Sequence, residues 1–192
     1  MSKPQFAINK LSLPGCLELV PDLKEDERGK FVKVFQQSVF SAMGLENHFP
    51  EIFYSVSKQG VIRGLHFQIP PFEHSKLIYC PEGWIQDAVV DLRQGSPTYG
   101  SYAVMDVSAE KGNLIYIPPG IAHGFCVLSD SAIVMYMVSS QYSPEHDAGI
   151  LWNSIPVPWL VEEPIVSKRD CLHPRIQGYQ SPFRYQSKDD NR

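Results

Sequence analysis

Apolar residues recur along this chain in short stretches rich in Val, Ile, Tyr and Phe, alternating or nearly continuous, with turn-forming residues between them. Such runs read as β-strands. The pattern predicts strands over Phe31–Phe35, Ile52–Val56, Val61–Phe67, Lys76–Cys80 and Trp84–Asp91, then Tyr99–Val107, Asn113–Ile117, Ala122–Leu128 and Ala132–Ser139. The separators carry turn chemistry: Pro81-Glu82-Gly83, Gly95-Ser96-Pro97, Pro118-Pro119-Gly120 and Ser129-Asp130-Ser131. Many strands at this spacing indicate an all-β sandwich or barrel rather than βαβ units. One helix is expected, Gln36–Met43, where Val39, Phe40 and Met43 share a face and Gly44 supplies the stop. The stretch holding Pro156, Pro158, Pro164 and Pro174 reads as a lid or wrap with short helices at best, and the tail SKDDNR as frayed.

Composition narrows the function classes. With 192 residues, 43% hydrophobic and 20% charged, the chain can bury a full core as one domain, 1–192, with a tail from about residue 180. A net charge of −4 without a basic run argues against a nucleic-acid binder. The longest apolar run, Ala132 to Val138, is far short of a membrane span, and the N-terminus lacks the apolar core of a signal peptide. Cys16, Cys80, Cys126 and Cys171 lie far apart with no CxxC pair, which points to reduced thiols and a cytoplasmic address.

The densest polar and aromatic region is Ser55 to Lys76. Read as a regular strand, RGLHFQ puts Arg63, Leu65 and Phe67 on one face and Ile62, Gly64, His66 and Gln68 on the other. Alternatively Gly64 is a bulge that turns Arg63 and His66 toward one cavity. Taken alone, His66 reads as a structural histidine. His123 lies in PPGIAHGF, a turn entering a strand, near a barrel mouth. Jelly-roll metal sites use two histidines one residue apart, but position 68 is Gln and His74 follows two prolines, so no metal is expected. Lys76, Asp87, Asp91 and Tyr136 are polar groups inside apolar segments; Tyr136 reads as a core tyrosine and Asp170 as part of a solvated charged turn.

Taken together the motifs say more. VIRGLHFQ, KLIYC, GWIQDAVVDLRQGSPTYG, YIPPGIAHGFCVLS, YMVSSQYSPEHDAGILWN and SKRD follow one another in order. From about Glu25 to Asp170 the chain closely resembles the dTDP-4-dehydrorhamnose 3,5-epimerase family, nucleotide-sugar epimerases built on a metal-free, cupin-type jelly roll with short peripheral helices.

The resemblance implies a chemistry. Inverting a carbon beside a ketone needs a base, an enolate stabiliser and an acid on the opposite face. By similarity His66 is the base, with Asp170 accepting its other ring N–H; Lys76, and with it His123, faces the developing enolate oxygen; Tyr136 returns the proton. Arg63 and Arg28, the latter in Asp26-Glu27-Arg28-Gly29, would hold the diphosphate, and Tyr142 would stack on the nucleobase. In the family that second arginine comes from the neighbouring subunit of a strand-exchanged homodimer. No cofactor is implied.

Departures from the family pattern cluster around the nucleotide. Lys33 stands for Glu, Glu51 for Gln, Phe53 for Asn, Asp147 for Glu, Arg169 for Lys, and Ser154 for the Asp of a WND motif. CDP- and GDP-linked sugars therefore stand beside dTDP as alternatives. So does inversion at C3 or C5 alone, as do a ketoisomerase and a non-catalytic sugar-nucleotide-binding cupin. The expected setting is deoxysugar biosynthesis for a surface polysaccharide or a secondary metabolite.

Overall fold

The computed structural model describes residues 5–186; the tail expected to fray, 187–192, lies outside the described residues. Two sheets form a jelly-roll sandwich. The first orders β1 (Phe6–Lys10), β2 (Leu17–Pro21), β10 (Leu114–Ile117), β7 (Lys76–Glu82), β12 (Ser131–Val138) and β5 (Glu51–Lys58). The second orders β13 (Asp147–Gly149), β6 (Val61–Gln68), β11 (Ile121–Val127), β8 (Trp84–Asp91) and β9 (Tyr102–Ser108), with β14 (Ile165–Val166) added parallel to β6. A separate hairpin joins β3 (Lys24–Asp26) to β4 (Gly29–Phe31), and the two helices are α1 (Gln37–Ala42) and α2 (Lys168–Cys171). Among the described residues no helix is long and apolar enough to cross a membrane.

Three apolar layers explain why several strands read as continuous rather than alternating runs. Ile78, Ile85, Val89, Phe125 and Val134 pack between the sheets. Leu65, Phe67, Ala88, Val90 and Ala122 face outward from the second sheet and are covered by Ile150, Ile155, Val157 and Phe183 of the C-terminal wrap. Leu77, Leu114 and Met137 face outward from the first sheet and are covered by Phe40 of α1. Strands such as β8 and β11 are therefore buried on both faces. Phe40 is wholly buried, which is worth roughly 1.5–3 kcal/mol over leaving it in water.

Two expected elements differ. Phe31–Phe35 is a strand only at its first residue, because Val34 and Phe35 pack onto the covered face of the first sheet beside Phe40 instead of entering a ladder. The strand expected from Tyr99 starts at Tyr102, because the Asp91 carboxylate gathers Ser96 and Thr98 into a turn before it. The short strands β1, β2, β3, β13 and β14 had no counterpart in the expected set. The helix stands one residue inside its expected bounds at each end. All four cysteines are free, and only Cys171 is exposed.

Candidate active site

The alternation that builds the inter-sheet core continues into one end of the sandwich and changes there from apolar to polar. On the first sheet Lys76 precedes Ile78 and Cys80, Tyr136 follows Val134, and Phe53, Ser55 and Ser57 share the inward face of β5. On the second sheet Asp87 precedes Val89 and His123 precedes Phe125. The sheets enclose a cavity of about 370 Å³ here. That is the size of a small-molecule site. Its lining brings together His66, Lys76, His123, Tyr136, Arg63, Tyr142, Glu51, Phe53 and Asp147.

His66 reaches the cavity because β6 carries a bulge. His123 pairs with His66 and Phe125 with Arg63, so Gly64 and Leu65 together oppose Gly124. The bulge alternative for RGLHFQ is the one adopted: Arg63 and His66, three positions apart, share a side, while Leu65 and Phe67 enter the outer core. Glycine is required at the crossing. Gly64 has φ +126°, and a Cβ there would lie 2.6 Å from the Gly124 Cα and 2.8 Å from the His123 carbonyl oxygen.

Asp170 comes from the wrap. β14 pairs with Val61 and Ile62, β13 with His66 to Gln68, and the gap between them leaves the Gly64 N–H facing outward. Asp170 fills that gap: its Oδ2 accepts the Gly64 N–H at 3.0 Å and its Oδ1 lies 2.9 Å from His66 Nε2. Its own N–H donates to Ser167 Oγ, the cap of α2. Far from being solvated, Asp170 is buried. Burial by itself would raise its pKa, but the hydrogen bond and charge of His66, with the Gly64 N–H and Ser167, bring it down to about 2.

Lys76 is buried and donates from Nζ to the His66 carbonyl oxygen at 3.1 Å. Burial lowers its pKa to about 8, against the opposing pull of Asp147 and Asp87. His123 Nε2 lies 2.7 Å from Asp87 Oδ2, and both side chains are buried. Burial favours the neutral form of each, lowering His123 and raising Asp87. Tyr136 belongs both to the core and to the cavity wall. Burial raises its pKa, Phe53 stacks on its ring at 4.7 Å, and His123 meets the ring edge-on at 6.1 Å.

Toward the rim, Arg63 Nε donates to Ser57 Oγ at 2.9 Å. Tyr142 is 57% exposed and held at both ends: its N–H donates to Glu51 Oε2 at 2.7 Å and its hydroxyl to Asp147 Oδ2 at 3.1 Å. Asp147 also forms an ion pair with Arg169 at 2.6 Å. Two of the departures noted above thus meet as partners, a shorter acid with a longer-reaching base. Ser154 lies away from the cavity, bonding Leu151 and Ile176. Arg28 and Lys33 do not line the cavity within one chain. Arg28 sits on the exposed β3–β4 hairpin, paired with Asp26.

Three groups had no assigned role in the sequence reading. Asp87 had registered only as a polar interruption in β8. Gln68 is a hub: its Nε2 lies 2.9 Å from the Phe72 carbonyl oxygen and 3.1 Å from that of Gln141, and its Oε1 accepts the Ser143 N–H at 2.6 Å. It thereby ties two rim loops together. His173 stacks edge-on to His66 at 5.6 Å, with its Nε2 3.8 Å from Asp170 Oδ1. Nothing in the sequence pattern brings position 173 to position 66. His66, Asp170 and His173 are also the group of described residues whose ligand atoms approach closely enough, within 4.8 Å, to hold a metal ion.

The arrangement supplies a basic and an acidic side chain on facing sheets, with cationic and hydrogen-bonding groups between them. Comparison with known proteins identifies the family. The model of the dTDP-4-dehydrorhamnose 3,5-epimerase family matches residues 10–178, and the chain belongs to this family of carbohydrate epimerases. The dTDP-4-dehydrorhamnose 3,5-epimerase of Shigella flexneri is 42% identical over 164 residues, covering 84% of this chain and 91% of that protein. A structure of the 3,5-epimerase of Legionella pneumophila in complex with dTDP-4-keto-L-rhamnose superposes with a TM-score of 0.90 at 30% identity, covering 95% of this chain and all of that one. A 3'-monoepimerase from Streptomyces bikiniensis, in complex with dTDP-quinovose, superposes at 0.80 with 30% identity and 86% coverage of each chain.

Proposed function

We propose that this epimerase inverts both C3 and C5 of a dTDP-linked 4-keto-6-deoxyhexose by removing a proton from one face of the sugar and returning one to the other. The observation that carries this reading is the placement of His66 on one sheet and Tyr136 on the facing sheet, with the cavity between them. His66 takes the proton through the ring nitrogen not engaged by Asp170. Asp170 holds the imidazole and favours the cation it becomes. Lys76 and His123, both buried in the cavity wall, stabilise the enolate oxygen, where fixed charge and donors screened from water count most. Tyr136 delivers the proton on the far face. A sugar-nucleotide-binding cupin without catalysis would have no use for a paired base and a buried tyrosine on opposite walls.

Arg63 binds the diphosphate, and the rim aromatic Tyr142 stacks on the base. Glu51, Phe53, Asp147 and Arg169 shape the nucleotide end. We further propose that the chain is one domain working as a cytosolic homodimer. β5 is an open sheet edge with Ile52, Tyr54 and Val56 exposed on its outer face, an arrangement that invites pairing. The projecting β3–β4 hairpin of a second copy would cover it and carry Arg28 and Lys33 to the partner's cavity. Four free cysteines suit a reducing compartment.

The test is turnover of dTDP-4-keto-6-deoxyglucose in D2O followed by NMR. Deuterium at C3 and C5 with inversion at both is expected. Label and inversion at one carbon would reduce the assignment to a single-position epimerase, and no incorporation with any of the dTDP-, CDP- or GDP-linked sugars would overturn it.

A further inference from the structure

The back of His66, turned away from the cavity, carries a feature the epimerase chemistry leaves unused. Asp170 and His173 do not line the cavity, yet Asp170 Oδ1 lies 2.9 Å from His66 Nε2, the His173 ring stands edge-on to His66, and ligand atoms of the three residues lie within 4.8 Å of one another. The Nε2 of His173 is buried and makes no hydrogen bond among the described residues. A polar atom of that kind calls for a partner, and an ion is one. The ring itself is fixed by close packing: a Cβ on Gly149, the residue of β13 paired with His66, would lie 2.5–2.8 Å from Nε2, Cδ2 and Cε1 of His173, so the imidazole lies directly against this glycine.

We infer that His66, Asp170 and His173 form a zinc-binding site behind the base, and that zinc bound there switches the base off. Two imidazoles and a carboxylate are a donor set that suits Zn²⁺. Ligand atoms on one tetrahedral zinc, each roughly 2.0–2.1 Å from the metal, stand about 3.3 Å apart. The observed separations from Asp170 Oδ1, 2.9 Å to His66 and 3.8 Å to His173, bracket that distance. A water as fourth ligand would complete a tetrahedral set.

The consequence for turnover follows from the tautomer, and it rests on His66 being the base. With Asp170 on Nε2, the ring proton sits on Nε2 and the lone pair of Nδ1 is free to accept a proton from the sugar. Zinc on Nε2 needs the lone pair there, so the single ring proton moves through solvent to Nδ1. The imidazole stays neutral and no proton is gained or lost overall. The nitrogen facing the cavity is then N–H and cannot accept. The cavity itself is not filled, so the nucleotide still binds.

The untagged full-length chain, freed of metal by chelator, should bind one Zn²⁺ by calorimetry and give the intense visible bands of a tetrahedral site with Co²⁺. Zinc should abolish epimerisation without changing dTDP affinity, and chelator should restore it. His173→Gln should turn over in zinc-free buffer, lose the calorimetric site and escape inhibition; the cobalt spectrum of the wild-type chain serves if that variant does not fold. Zinc binding unchanged in H173Q, no tetrahedral cobalt spectrum, or inhibition that competes with dTDP would each overturn the site. Zinc binding that depends on His173 but leaves turnover intact would overturn the switch and count against His66 as base.

Discussion

His66 Nε2 stands 2.9 Å from Asp170 Oδ1, a contact that closes across 104 positions of sequence. Asp170 stays ionised at any pH above about 2, so its charge is in place wherever the protein works. Asp170→Asn keeps the shape and removes that charge. Its amide can also donate to His66, which would place the ring proton on the cavity side. A well-placed base contributes about 10²–10⁴-fold, and both His66→Asn and Asp170→Asn should lose a factor in that range from kcat. Affinity for dTDP should be nearly unchanged in each. An Asp170→Asn protein with wild-type exchange at C3 and C5 would show that the carboxylate only anchors the wrap.

Tyr136 is at once a core residue and a wall of the cavity, and removal of one oxygen separates the two roles. As a purely structural residue, Tyr136→Phe would cost at most about 1–3 kcal/mol of stability and leave turnover alone. As the acid, its loss leaves His66 and Lys76 able to form the enolate, and His66 able to return a solvent proton to the face it came from. The variant in D2O should therefore label the substrate with little inversion, as read by NMR. Full epimerisation by a folded Tyr136→Phe protein would assign the acid elsewhere.

Much of this site was legible because it lies on regular strands. Lys76, His123 and Tyr136 interrupt apolar runs at the inward positions, and the ordered motifs supplied the family. The bulge at Gly64 was readable only as one of two alternatives, because it depends on Gly124 of another strand accepting close approach. Asp170 was less legible still. It looks like a solvated turn because the contacts that bury it, the Gly64 N–H and His66, are made from a stretch with a two-residue strand and a four-residue helix. Local pattern carries no trace of a long-range fit of that kind. His173 shares the problem, and the strand expected at Phe31–Phe35 fails for a related reason: apolar character there serves packing against Phe40 rather than a ladder.

The buried ammonium of Lys76 predicts an alkaline limit. Burial depresses its pKa to about 8, so the cation that faces the enolate is present below that pH and lost above it. The kcat of the wild-type protein should fall as pH rises through about 8. Lys76→Arg keeps a charge that does not titrate in this range, so its lower rate should stay level past pH 8. An alkaline limb that is the same in both proteins would belong to another group.

Gln68 should act on binding rather than on chemistry. Its amide joins the loop at Phe72 to the loop carrying Tyr142, and Gln68→Leu removes those bonds at similar volume. Loss of one or two net hydrogen bonds is worth about 1–2 kcal/mol. If that is spent on the position of Tyr142, KM should rise roughly 5–30-fold while kcat holds. In a Gln68→Leu/Tyr142→Ala double variant the losses should not add. A fall in kcat at constant KM would tie Gln68 to His66 instead.

Arg28 tests the assembly. Within one chain it stands on an exposed hairpin, paired with Asp26, and contributes nothing to the cavity. If the hairpin crosses to a second copy, each site combines Arg28 of one subunit with His66 of the other. Arg28→Ala should then weaken binding of the diphosphate, and His66→Asn should remove the base, each in both sites of its own homodimer. Mixed subunits restore one site: the heterodimer pairs the intact Arg28 of the His66→Asn chain with the intact His66 of the Arg28→Ala chain. The other site carries both defects. Statistical exchange of equal amounts makes half the dimers mixed, and each mixed dimer has one working site of two, so about a quarter of wild-type activity should return. The parent variants, assayed alone at the same substrate concentration, set the baseline. Exchange verified by mass spectrometry with no recovery above it would place Arg28 in cis, or outside the site altogether.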